Sequence, residues 1–148
     1  MDRKYTHTSP GCYGCGEDNP EGLQLRPYHD GDWIAADYEA QPRHRGFSRV
    51  VHGGVIAALL DEIVTCAASI AMNQLAVTVK IEVEFLTPML IGKKYVIRAR
   101  HLGPDGKTHL AEGAIVDEEG KTIARARGRF IELSKERAKQ FLNGGQDP

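Results

Sequence analysis

No block of like charge runs through this chain. Nineteen Lys and Arg stand against twenty Asp and Glu, a formal net charge of −1. Such a balance offers nucleic acid and anionic membranes nothing to hold, so neither is expected as a partner. No window approaches a membrane span, and MDRKYTHTSPGCYGC at residues 1–15 has no signal-peptide core. A cytoplasmic address is the expectation. Cysteine is scarce and odd in number, at three, which argues for reduced thiols over a disulfide framework. Repeats, low-complexity tracts and linkers are also missing. What remains is an ordinary globular composition, 41% hydrophobic and 26% charged over 148 residues, enough for one domain with its own core. Residues 1–22 read as an irregular lead-in to that single domain (1–148), and 134–148 as a C-terminal tail, with a helical turn at 134–141.

Hydrophobic periodicity divides the rest. "LQLRPYH" (23–29) is expected to be a short edge strand because of Pro27, and "WIAADYEA" (33–40) a second strand. "QPRHRGFSRVV" (41–51) is a polar loop. From Gly54 to Met72 apolar residues cover nearly the whole circumference of a helix, which predicts burial on every side. "AVTVKIEVEFL" (76–86) then alternates, with Val77, Val79, Ile81, Val83 and Phe85 on one face. Three more strands follow at 94–103, 108–117 and 122–133, joined by hairpin turns at 104–107 and 117–120. One apolar helix and a meander of long strands predict an α+β domain whose antiparallel sheet curls around the helix. The sheet's open edge is expected to dimerise.

Two features of the helix do not suit a plain core element. It opens on His52-Gly53-Gly54, and it carries Asp61-Glu62 in its middle. A helix N-terminus has unpaired N–H groups and partial positive charge, and glycine leaves them open, so Gly53 and Gly54 suit an oxyanion. A tight turn would explain the same glycines. Asp61 and Glu62 lie too deep to cap the helix; they either serve an active site, or one pairs with an arginine while the other reaches solvent. Gly53 and Asp61 are about 12 Å apart along one axis, too far to serve one carbonyl. An active site built from both therefore has to be shared between antiparallel helices of two subunits.

"HGGVIAALLDE" (52–62), followed by "TVKIEVEFLTPML" (78–90) and preceded by "CYGCGEDNPEGLQL" (12–25), resembles the acyl-CoA thioesterases of the hotdog fold, in particular the phenylacetate-pathway, PaaI-like branch. The resemblance covers roughly residues 12–133. It implies hydrolysis of an acyl-CoA thioester by a homo-oligomer (dimer or dimer of dimers), with no cofactor beyond the coenzyme A of the substrate and no metal. It also implies roles by position. Asp61, nine residues after the histidine, would be the base or nucleophile. The Gly53 amide would polarise the carbonyl, with His52 and Gly54 shaping the helix start, and Thr78 would orient the water. Phe85, Leu86, Thr87 and Pro88, with Gly103 and Lys107 of the 103–108 hairpin, would line the coenzyme A arm. Some relatives carry Asn or Gln six residues before the histidine; here that position is Gly46, and either His44 or Arg45 substitutes or the group is dispensed with.

Two other readings of the fold are a hydratase, whose differently spaced His and acid pair is not found here, and a non-catalytic acyl-CoA binder or sensor. Cys12-x-x-Cys15 has ligand spacing for zinc, but no second CxxC or HxxxH follows at a matching distance, although His7 and His29 could be drafted. A glycine-rich turn packing two small thiols accounts for it as well. Cys66 is expected to act as a small hydrophobe, and His101 and His109 as ordinary strand residues. Arg125, Arg127 and Arg129 share a strand face that is either solvated or steers an anionic coenzyme.

Overall fold

The computed structural model describes residues 9–142; His7 and the polar tail beyond 142 lie outside them. The elements in chain order are β1 (Tyr28–Asp30), β2 (Trp33–Glu39), α1 (Gly53–Met72), β3 (Ala76–Phe85), β4 (Lys94–Asp105), β5 (Thr108–Asp117), β6 (Thr122–Glu132) and α2 (Lys135–Leu142). The strands form one antiparallel sheet in the order β1-β2-β4-β5-β6-β3, so β3 is an edge. α1 packs against every strand from β2 to β6. This is the α+β hotdog arrangement expected from the pattern.

α1 buries Ile56, Leu59, Leu60, Ile63, Val64, Ala67 and Ala68, a stripe at helical spacing turned to the sheet. It sits so close that a Cβ on Gly113 of β5 would stand 2.9 Å from Val64 Cγ1. Burial on every side does not hold within one chain. Asp61, Glu62, Thr65 and Cys66 lie opposite the stripe and are half-buried, with Thr78 of β3 against Asp61 and Thr65 and the lead-in against Glu62. Asn73, left-handed at φ 51°, caps the helix C-terminus. The expectation that no segment approaches a membrane span also needs correction. The twenty residues of α1 are long and apolar enough to cross a membrane by length and composition. Its packing on five strands and its two central acids mark it as the core helix of this sheet.

Residues 23–27 do not form the expected strand. Leu23 and Leu25 donate to Tyr13 and Gly14 of the lead-in, and Gln24 has φ 52°, which breaks the extension. Pairing with β2 begins only at Tyr28, after Pro27, which has no N–H to give. β4 runs on to Asp105, so the first hairpin shrinks to Gly106-Lys107, with Gly106 at φ 62°.

The alternation in β3 is broken by a bulge. Thr78 pairs with Phe130 and Lys80 with Arg129, leaving Val79 unpaired between them. The extra residue reverses the faces on its two sides. Ile81 and Val83 pack on the core as expected, but Ala76 is buried while Val77 and Val79 are exposed. Thr78 is thereby turned towards α1 instead of away from it.

Candidate functional site

The chain entering α1 is held before the helix begins. Val51 N–H donates to Met89 O and His52 N–H to His44 O. His52 is the N-cap: its Nδ1 accepts from Gly54 N–H at 2.8 Å, and its carbonyl accepts from Val55 and Ile56. Gly53 N–H has no acceptor among the described residues, and Gly53 is exposed. The two glycines thus have different reasons. A Cβ on Gly54 would lie 3.0 Å from His52 Nδ1, so the second glycine serves the cap. A Cβ on Gly53 would make ordinary contact with the Phe85 ring at 3.6 Å, so the first has space before it and an open donor.

Eight residues further on, Thr78 Oγ1 donates to Asp61 Oδ1 at 2.7 Å. Thr65, one turn after Asp61, has its Oγ1 3.1 Å from Thr78 Oγ1. Thr78 has a single hydroxyl proton and uses it on Asp61, so Thr65 is the donor in that second pair. The sequence reading missed Thr65; its i+4 position on the Asp61 face was the available signal. Among the described residues neither acid meets an arginine. Glu62 instead lies under the lead-in, with Cys12 Sγ 3.9 Å from its Oε2. Burial raises the Glu62 carboxyl above its ordinary range, and the neighbouring Asp61 adds to this. Burial also pushes the Cys15 thiol up, helped by Glu62. A cavity of about 500 Å³ opens beside these groups, lined by Thr65, Cys66, Ser69, Ile70 and the lead-in.

Gly46 lies against the helix start, where its Cβ would be 3.1 Å from His52 Cα. His44 is buried, and its Nδ1 is engaged by the Tyr38 hydroxyl. Burial and then Arg43 lower the His44 pKa, which keeps the ring neutral. It is a core residue rather than a substitute at the site; Arg45 is exposed.

The expected coenzyme-lining residues fall at two ends of the molecule. Phe85 ends β3, and Leu86, Thr87 and Pro88 follow it, at the end of the sheet that carries the start of β6. Gly103 and Lys107 belong to the β4–β5 hairpin, at the other end, level with Thr78 through Phe130 and His109. Within one chain these two groups are not brought together. His101 and His109 are more than isolated strand residues: His101 Nε2 and His109 Nδ1 are 2.9 Å apart, and His109 Nε2 is 3.3 Å from Glu132. The arginines of β6 form a solvated, paired face, with Arg125 on Glu84 and Arg129 on Asp105, both at 2.8 Å.

The fold recurs in solved structures. A thioesterase superfamily protein aligns with TM-score 0.77 and 18% identity over 83% of this chain; this chain spans only 61% of that protein's length. PaaI of Escherichia coli, from the phenylacetic acid degradation operon, aligns with TM-score 0.68 and 20% identity, covering 76% of this chain and 81% of that one. A Streptococcus mutans protein solved bound to acetyl-CoA also gives 0.68, at 19% identity, over 75% of this chain and 90% of its own. No curated protein matches the sequence. The sequence profile of the thioesterase superfamily matches residues 49–124, just over half of the chain and the part that holds Gly53, Asp61 and Thr78. The chain belongs to the thioesterase superfamily.

Proposed function

We propose that this protein hydrolyses an acyl-CoA thioester to the free carboxylate and coenzyme A, at a site shared by two copies of the chain. The observation that carries this reading is the Thr78–Asp61 hydrogen bond at 2.7 Å. It fixes a carboxylate in the middle of a largely apolar helix whose first amide is open. A carboxylate placed there, with no arginine on it among the described residues, suits attack on a carbonyl better than stabilisation of the fold.

The thioester carbonyl oxygen lies on Gly53 N–H of one subunit, where the helix end stabilises charge as it develops. Asp61 of the other subunit takes a proton from the attacking water, or attacks the carbonyl carbon itself to give an anhydride that water then opens. The thiolate of coenzyme A leaves, and the net reaction consumes one water. Thr78 holds Asp61 by Oδ1, so Oδ2 is the oxygen assigned to the water or the carbonyl carbon. The acyl group takes the cavity beside Thr65 and Ile70, whose size suits a small-molecule site. The coenzyme arm passes Phe85–Pro88, beside a groove that includes Lys93, Lys94 and Lys121 but also Asp117, Glu118 and Glu119.

Pairing of subunits is supported by β3, an edge strand on which Val77 and Val79 are exposed. A panel of short, long and aromatic acyl-CoA esters, followed with a thiol-reactive dye, tests the reading. Release of coenzyme A by wild-type protein but not by Asp61→Asn is the expected result. Tight binding of the esters without release would favour a non-catalytic binder instead.

A further inference from the structure

The lead-in brings the two cysteines of Cys12-x-x-Cys15 onto a residue that sequence spacing does not connect with them. One ligand atom from each of Cys12, Cys15 and Glu62 lies within 4.8 Å of the others. Zinc was set aside on sequence because no further ligand followed at a matching spacing; the fold supplies one from fifty residues away. We propose that Cys12 Sγ, Cys15 Sγ and a Glu62 carboxylate oxygen are the three protein ligands of a zinc-class divalent ion, whose fourth position faces the cavity and takes water.

Four structural features support such a site. The turn is shaped for it: Gly16 N–H donates to Cys12 O at 2.9 Å, and Gly14 N–H donates to Cys12 Sγ at 3.3 Å. The second bond orients the sulfur. A Cβ on Gly14 would lie 2.2 Å from Glu62 Oε2 and would displace the carboxylate, which is pressed directly against the turn. Glu62 forms no salt bridge with a Lys, Arg or His among the described residues, so this half-buried acid lacks a positive charge. Finally, all three side chains line one cavity, which leaves a coordination position open.

The distances are close to what the ion needs. Tetrahedral zinc with S and O ligands holds its donor atoms roughly 3.5–3.8 Å apart, and Cys12 Sγ already stands 3.9 Å from Glu62 Oε2. Two thiolates select zinc-class ions over magnesium or calcium. On binding, each thiol that is protonated gives up its proton to solvent, and no electron moves. The ion would pin the lead-in to α1, making residues 9–27 a metal-held cap over the cavity.

The test reads metal, not hydrolysis, and therefore succeeds or fails independently of the proposed reaction. Full-length protein is purified under reductant from zinc-supplemented cells, and its metal content is measured. The stripped, reduced protein is then titrated with Co²⁺. The expected result is about one zinc per chain and a sulfur-to-cobalt charge-transfer band. Both should disappear in Cys12→Ser with Cys15→Ser, and both should persist in Cys66→Ser. Glu62→Gln, with a neutral amide in place of the carboxylate, should weaken Co²⁺ binding by about a hundredfold or more. Wild-type protein with little zinc and no thiolate band overturns the proposal. So does metal that survives loss of both cysteines, or a Cys12–Cys15 disulfide that, once reduced, takes up no metal.

Discussion

Asp61 and Glu62 are neighbours in sequence but point at different chemistry. Asp61 is held by Thr78 and backed by Thr65, whereas Glu62 faces Cys12. Asp61→Asn is therefore expected to lower thioester hydrolysis by about a thousandfold, the scale of a lost general base. Glu62→Gln should have a much smaller effect on turnover. An essential Glu62 with a dispensable Asp61 would reverse this assignment. Thr78→Val removes one hydrogen bond to a charged group, worth about 1.5–3 kcal/mol, and so should reduce kcat by about tenfold to a hundredfold. His44 makes a separate, pH-dependent prediction. Its folded pKa lies below the ordinary 6.5 because of burial and Arg43. Between those two values the unfolded chain binds a proton that the native protein does not, so stability is full above about 6.5 and falls as the pH drops below it. Thermal midpoints measured across pH 5–8 should show this acid slope, and His44→Gln should flatten it. Part of the slope will remain through His101, whose pKa is lowered by burial and then by His109.

At the level of elements, α1 rests on β5 and β6 through glycines. Gly113→Ala places a methyl group 2.9 Å from Val64 Cγ1 and 3.0 Å from Arg98 O. Denaturant unfolding should show a loss of about 1–3 kcal/mol, whereas Gly11→Ala, with nothing within 4 Å, should change little. An unchanged midpoint for Gly113→Ala would mean that the helix is seated more loosely than described. Strand periodicity and the all-apolar run made this helix-on-sheet arrangement readable in advance, since both are local consequences of which face is buried. The bulge at Val79 was not readable. Alternation in "AVTVKIEVEF" is unbroken as a string, and only pairing with β6 shows that one residue is left over. The candidate site divides in the same way. The open amide at Gly53 followed from a helix beginning in glycine, whereas the choice of Asp61 over Glu62 came from the family resemblance, in which the acid stands nine residues after the histidine. The contact of Asp61 with Thr78 depends on the bulge, and that of Glu62 with Cys12 joins residues fifty apart, so neither left a local signal.

For the whole molecule, the central geometric fact is the eight-residue interval between Gly53 and Asp61 on one continuous helix, about 12 Å along its axis. Nothing within the chain closes that interval, and Phe85–Pro88 are separated from Gly103 and Lys107 by the length of the sheet. A second copy, with its helix running antiparallel across a two-fold axis, would bring one open amide to each Asp61 and form two equivalent sites. The most direct measurement mixes two inactive proteins, Asp61→Asn and Gly53→Leu, and follows coenzyme A release as their subunits exchange. A Cβ at position 53 meets only the Phe85 ring among the described residues, at ordinary contact distance, and the position is exposed, so Gly53→Leu should fold while denying the carbonyl its place. In a mixed dimer one site has both defects and the other has neither. Activity should return, towards about half the wild-type value per mixed dimer. Demonstrated exchange of subunits with no return of activity would contradict it.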